Sequence, residues 1–372
     1  MKIAKFLALL CGVATFVACE STPDGPAPEP EPAPNEGALT LKISTPIVEL
    51  GEAVKFTVEQ QGVDVTSSSD LHIYDQNMVE VSANFTPSTT GNYSFFATRG
   101  AESSNRVRLS VLTVIPDLPA EPQNETYKHR VMILDVTGNR CPPCTLMMTD
   151  LYTFAQTEWH AYYNEVTCHA GGLTSNDPAN SPAADVLERY VSPSGYPHVS
   201  INFYGGTLGT TGNPSYFVQQ ASNALNRIVK KEGADVGIAI NSVVEGTSVY
   251  SSVAIKANVE AEYKVTAWLL ENNIFGNQIN ATQDHQKVFN HALRNIAGEY
   301  SSQNVLGESI GTIGPDSETY YTAFELPIIN NSWREDNMEV LILVTAKNSQ
   351  GRWDVVNTAV CPANGSRPFE TI

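Results

Sequence analysis

Apolar and polar residues alternate at period two along 39-LTLKIS-44, 54-VKFTVEQ-60, 71-LHIYD-75, 93-YSFFATRG-100 and 106-RVRLSVLTV-114, with Gly, Pro, Ser and Asp clusters between them. Such alternation predicts half-buried strands, and short strands at this spacing predict a small β-sandwich over 39–114. The texture then changes. The segment 130-RVMILDVTG-138 is a continuous apolar run, as expected of a strand covered on both faces. A helix is predicted over 145-TLMMTDLYTFAQTEW-159, where Leu146, Met147, Leu151 and Phe154 recur at near-helical spacing. A strand at 163–170, a loop rich in Ser, Asn, Pro and Gly, a helix at 183–191, a strand at 198–205 and a helix at 215–232 follow. Strands alternating with helices predict an α/β domain over 128–233. Period two returns after Gly233, in six strand candidates from 235-DVGIAINSVV-244 to 352-RWDVVNTAV-360, which predict a β-sandwich over 234–372. It carries a polar insertion, 277–300. Within it, 286-QKVFNHALRNI-296 has amphipathic-helix spacing, with Val288, Phe289, Leu293 and Ile296 on a core-facing side.

The 372 residues suit two or three domains. A formal net charge of −18 would repel phosphate backbones, so no nucleic-acid partner is expected. Residues 1–19 carry Lys2 and Lys5 and then an apolar run too short for a membrane span with its own flanks, the layout of a secretory signal. The run ends in 16-FVAC-19, which resembles the lipobox of bacterial lipoproteins and implies that Cys19 is lipidated and anchors the chain to a membrane. An ordinary cleaved signal is the alternative. The acidic, proline-rich stretch 20–38 cannot bury enough apolar surface to fold and is expected to be an extended tether; 115–127 is a second linker.

Export places the cysteines in an oxidising compartment. Of the six in the chain, Cys11 leaves with the signal and Cys19 takes lipid, so Cys141, Cys144, Cys168 and Cys361 remain, too few for a disulfide scaffold. In 138-GNRCPPCTLMM-148 a helix beginning near Pro142 tolerates proline in its first turn and sets Cys141 where unpaired amides and the macrodipole favour an anion. Cys141 and Cys144 then share a helical face within reach of a disulfide. Cys141 is the candidate nucleophile and Cys144 the resolving thiol. Pro142 and Pro143 withdraw two amide donors from the sulfur.

A strand, CPPC opening a helix, and Pro197 in 195-GYPHVSI-201 before a later strand are together similar to the thioredoxin fold. The resemblance implies that Pro197 is cis and shapes a substrate groove, that Tyr196, Pro142 and Pro143 contact substrate, and that Asp135 relays a proton to Cys144. Arg140 and the long insertion before Pro197 depart from that family. The segment 85-FTPSTTGNYSFFA-97 resembles late strands of immunoglobulin-like domains. More narrowly, 135-DVTGNRCPPC-144, 169-HAGG-172, 195-GYPHVSIN-202, 268-WLLENNIFGNQ-278 and 287-KVFNHALRNIAGE-299 look like the twenty-eight-kilodalton outer-membrane-protein-related lipoproteins of Bacteroidetes. That likeness implies an exported, outer-membrane-associated chain with a thioredoxin-like domain followed by a β-rich one.

The expected fold class is thus multidomain α+β: an N-terminal immunoglobulin-like β-sandwich, a central thioredoxin-like α/β domain and a C-terminal β-sandwich. Thiol–disulfide exchange with envelope protein thiols or disulfides is the first functional reading. A surface-displayed binding or adhesion lipoprotein with a structural or vestigial cysteine pair is the second. Cys141, Cys144, Cys168 and His169 also form a conceivable zinc or copper set, but adjacent residues on a strand point to opposite faces, and no metal is expected. Without a glycine-rich phosphate loop, Walker pattern or HExxH motif, no cofactor is expected either.

Overall fold

The computed structural model describes residues 39–298, 300–302 and 304–372. The signal, Cys19 and the 20–38 tether lie outside the described residues. Over 39–112 the strands form two small sheets. Leu39–Ile43 pairs antiparallel with Val54–Gln60 in one, and Val107–Leu112 lies between Ile47–Glu49 and Gly91–Arg99 in the other. The inward positions of the period-two pattern, Leu41, Phe56, Val58, Phe95, Leu109 and Val111, fill the space between them.

All three α-helices among the described residues open in the same way. A capping side chain is followed directly by proline: Cys141 before α1 (Pro142–Phe154), Ser181 before α2 (Pro182–Val191) and Asn213 before α3 (Pro214–Ile228). Each cap accepts a first-turn amide, and the proline sits where its missing donor costs nothing. Between the helices the Val131–Thr137 strand runs parallel to Tyr163–His169 and antiparallel to His198–Ile201. Its Val131 and Ile133 pack with Met147, Leu151 and Phe154 of α1 and Phe217 of α3. Its Met132, Leu134 and Val136 face the other way, towards Ala184 and Leu187 of α2.

The expected fold class is overturned at this point, because among the described residues no separate central α/β domain of the thioredoxin kind stands out. Strand is the commonest element among the described residues, which hold three α-helices, and the Val131, Tyr163 and His198 strands belong to a nine-stranded sheet. That sheet continues through Ala292–Ile296, Ala261–Glu271, Met338–Lys347 and Trp353–Pro362. The joint is a parallel bridge of Thr167 to Ala292, reinforced where Thr167 N donates to His291 O at 2.9 Å and its Oγ1 donates to Asn290 O at 2.7 Å. One core crosses it, uniting Met132, Leu134 and Val136 with Trp268, Leu293, Leu341 and Leu343. An apolar run declares that a strand is covered on both faces but not by which residues. A four-stranded sheet containing Val236–Glu245 and Ser248–Ala257 packs on the outer part of the large sheet.

The expected helix at 286–296 is likewise replaced. Val288–Phe289 makes a two-stranded ladder with Ile274–Phe275, and Ala292–Ile296 is the joining strand. His291 between them lies in the left-handed region at φ 53°, which stops a helix. Because every residue of Ala292–Ile296 is buried, its apolar spacing has no diagnostic period.

Candidate functional site

Cys141 and Cys144 are joined in a disulfide with a Cα separation of 5.2 Å. Cys141 Sγ accepts the Cys144 amide at 3.2 Å, the donor that remains after Pro142 and Pro143 have removed theirs. The pair therefore spans the positive end of α1. Both prolines are exposed. With Leu146, Asp150, Gly212 and Asn280 they line a cleft of about 630 Å³. The sulfurs themselves are not open to solvent: Cys141 is 2 % exposed and Cys144 0 %, which corrects the expectation of an accessible nucleophile.

Two segments close over the motif. On one side the loop after the Tyr163 strand holds it, as Arg140 N donates to Leu173 O at 3.0 Å and Asn139 N to Asp177 Oδ2 at 2.9 Å. On the other lies a strap, residues 276–287, from the polar insertion. Gln278 Nε2 donates to Cys141 O at 3.1 Å, to Gly138 O at 3.4 Å and to Thr145 Oγ1 at 3.2 Å. Ile279 N donates to Asn139 O at 2.9 Å and its carbonyl accepts Thr145 Oγ1 at 2.6 Å. Gln286 Nε2 donates to Thr145 O and Thr149 Oγ1. Both glutamines are buried, so these bonds form away from competing water.

Pro197 follows a cis Tyr196–Pro197 peptide and precedes the His198 strand. Since His198 pairs with Val136, Pro197 stands at the sheet end from which the chain leaves Thr137 for Cys141. The Tyr196 hydroxyl is engaged elsewhere, donating to Glu188 Oε1 of α2 at 2.6 Å. Asp135 lies on the strand face covered by α1 and is 1 % exposed. Burial, and secondarily the Glu165 charge, hold its carboxyl well above the usual range.

The conceivable metal set does not assemble. Cys168 turns to α2, its Sγ 3.1 Å from Ala184 O, while His169 on the opposite face pairs with Asp177 at 2.8 Å. Cys168 and Cys361 are free and buried. Sequence reasoning passed over Gln278, Gln286, Asp150 and Glu165. The polarity of the insertion was the available signal for the two glutamines, and the two carboxyls had none, because burial is a tertiary property.

Residues 184–363, just under half the chain, match the family described as outer membrane protein Omp28; the cysteine pair lies outside that match. No curated protein matches the chain. Among solved structures the chain is similar to HBP35 of Porphyromonas gingivalis, at 15 % identity and a TM-score of 0.51, over 66 % of this chain and 78 % of that one. At that identity the likeness is one of fold. The match of 184–363 makes that part of the chain similar to the Omp28 family and supports association with the outer membrane of the cell envelope.

Proposed function

We propose that the chain is an envelope lipoprotein, anchored through Cys19, that exchanges disulfides with envelope proteins at Cys141–Cys144 in a form gated by the strap. The observation that carries this reading is the disulfide across the cap and first turn of α1, beside a cleft walled by Pro142 and Pro143. When the strap lifts, a client thiolate attacks Cys141 Sγ. The Cys141–Cys144 bond breaks, its electron pair leaves on Cys144 Sγ, and a mixed disulfide forms. A second client thiolate attacks the client sulfur of that mixed disulfide and releases Cys141 as a thiolate. Two client thiols have then lost two electrons and two protons to the pair, and the reverse sequence reduces a client disulfide. The Cys144 amide and the helix terminus stabilise Cys141 as nucleophile or leaving group. In this reading Pro197 and Tyr196 border the client segment, and Asp135, whose pKa is raised by burial, supplies or takes the proton of Cys144.

Replacing Cys144 with Ser in the full chain should trap client adducts through Cys141, and a Cys141→Ser, Cys144→Ser chain should trap none. Absence of adducts, together with a pair that withstands strong dithiols, would sink the proposal. It would favour the second reading, a binding lipoprotein with a structural disulfide. The burial of both sulfurs supports that alternative.

A further inference from the structure

Behind α1, on the side away from the prolines, the sheet and the strap enclose a second cavity of about 200 Å³. Asp135 and Glu165, on adjacent parallel strands whose register sets Ile133 opposite Glu165, both line it. Among the described residues Asp135 Oδ1 has no hydrogen-bond partner although the residue is 1 % exposed. A buried, unpaired carboxylate costs several kcal/mol, so Asp135 either holds a proton or meets a compensating charge.

The neighbours do not supply one. His169 is committed to Asp177 at 2.8 Å, and His285 Nε2 lies 3.1 Å from Thr149 Oγ1. His291 is bound to Glu339 at 2.8 Å. Burial works against the charged His291 ring but is outweighed by that bond and by the Glu165 and Glu339 charges, which raise its pKa, and its hydrogen bond goes to Glu339 rather than to Asp135. Thr167 is spent on Asn290 O. Thr137 and Asn290 also line it, and the remainder is apolar or aromatic: Met148, Leu151, Ala155, Val288, Phe289 and, at the rim, Tyr152 stacked on His285 with centroids 4.3 Å apart.

We infer that this cavity binds a small organic cation, a primary alkylammonium, with its charge on Asp135 and Glu165 and its carbon chain against Leu151, Val288 and Phe289. A cation offsets the desolvation that raises the pKa of both carboxyls. Aromatic faces favour an organic ammonium over a hydrated inorganic ion. Among the described residues no group of His, Cys, Asp and Glu has the arrangement of a metal site. The volume holds on the order of seven waters at ~30 Å³ each, which suits a short chain with one charged end. Asp135 serves both this inference and the thiol–disulfide reading, but neither sulfur lines the cavity, so ammonium binding is measured separately from disulfide exchange.

The test is calorimetric titration of n-butylammonium chloride into the purified full chain, with n-butanol as the uncharged control of equal length. Saturable one-to-one binding is expected for the ammonium and none for the alcohol. Asp135→Asn and Glu165→Gln, near-isosteric changes whose folding is checked by melting curves, should each weaken binding at least tenfold. The carboxyl carbon-13 resonance of Asp135 should move to its ionised position on titration. Three results would overturn the inference: no saturable binding, affinity unchanged in both variants, or Zn²⁺ or Ca²⁺ displacing the ammonium with ligation through the same two carboxyls.

Discussion

If the strap gates the cysteine pair, Gln278→Ala should expose it. Gln278 is 5 % exposed and its Nε2 serves Gly138 O, Cys141 O and Thr145 Oγ1, so the change strips three acceptors of one shared donor. Ile279 and Gln286 still tie the strap to Asn139, Thr145 and Thr149, so the closed form persists as the major state. Gly138 O and Cys141 O keep their backbone donors and Thr145 Oγ1 still donates to Ile279 O, so the loss is that of a typical hydrogen bond, about 0.5–1.5 kcal/mol. The whole cost falls on the closed form, since in the open form water reaches those carbonyls. At 1.4 kcal/mol per tenfold, the open population rises by roughly 2- to 12-fold. Where opening and closing are fast relative to the chemistry, the reduction rate tracks that population. The assay is the rate of disulfide reduction by excess dithiothreitol, followed by mass-tag alkylation of the freed thiols in wild type and variant. Acceleration within that range supports gating. An unchanged rate in a variant whose melting temperature has fallen would refute it, because the hydrogen bonds would then stabilise the fold without limiting access.

Asp135 also predicts a pH dependence. Its folded-state pKa lies well above the ordinary 3.8, chiefly through burial, so its favourable contribution is present below 3.8 and is lost as pH rises through the folded value. Asp135→Asn should therefore match wild-type melting at about pH 4 and exceed it at neutral pH in cation-free buffer, and equal melting at both pH values would contradict the burial argument. At the joint of the large sheet, Arg294 Nε donates to Glu271 Oε2 at 2.7 Å, with side chains 2 % and 3 % exposed, and its guanidinium lies 5.0 Å from the Trp333 ring centroid. Arg294→Met strands the Glu271 carboxylate and should cost about 3–5 kcal/mol in denaturant unfolding; a loss under about 1 kcal/mol would mean that Glu271 finds water or a proton instead.

Local chemistry carried much of this structure in the sequence. The Cys-Pro, Ser-Pro and Asn-Pro pairs before α1, α2 and α3 each join a capping side chain to a first-turn proline, and the helices begin there. The period-two runs over 39–112 became strands because alternation maps directly onto the two faces of a half-buried sheet. The CPPC motif identified the cysteine pair because three-residue separation on a helix start is itself the geometry of the bond. By contrast, 286–296 misled: a strand buried on both faces carries no period, and its apolar residues fall by chance at helical intervals.

Outside 286–296, local sequence dictated which segments become strands and helices, where the helices start, and which two cysteines meet, because each depends on residues a few positions apart. Tertiary structure alone decided that the helical region and the C-terminal strands share one sheet and one core. It alone brought Gln278 onto Cys141 across 137 positions, and set Glu165 beside Asp135 in a common cavity. Those outcomes turn on which covered faces and strand edges find each other, a choice made by shape and desolvation among distant residues, to which no local pattern of apolar and polar positions is sensitive.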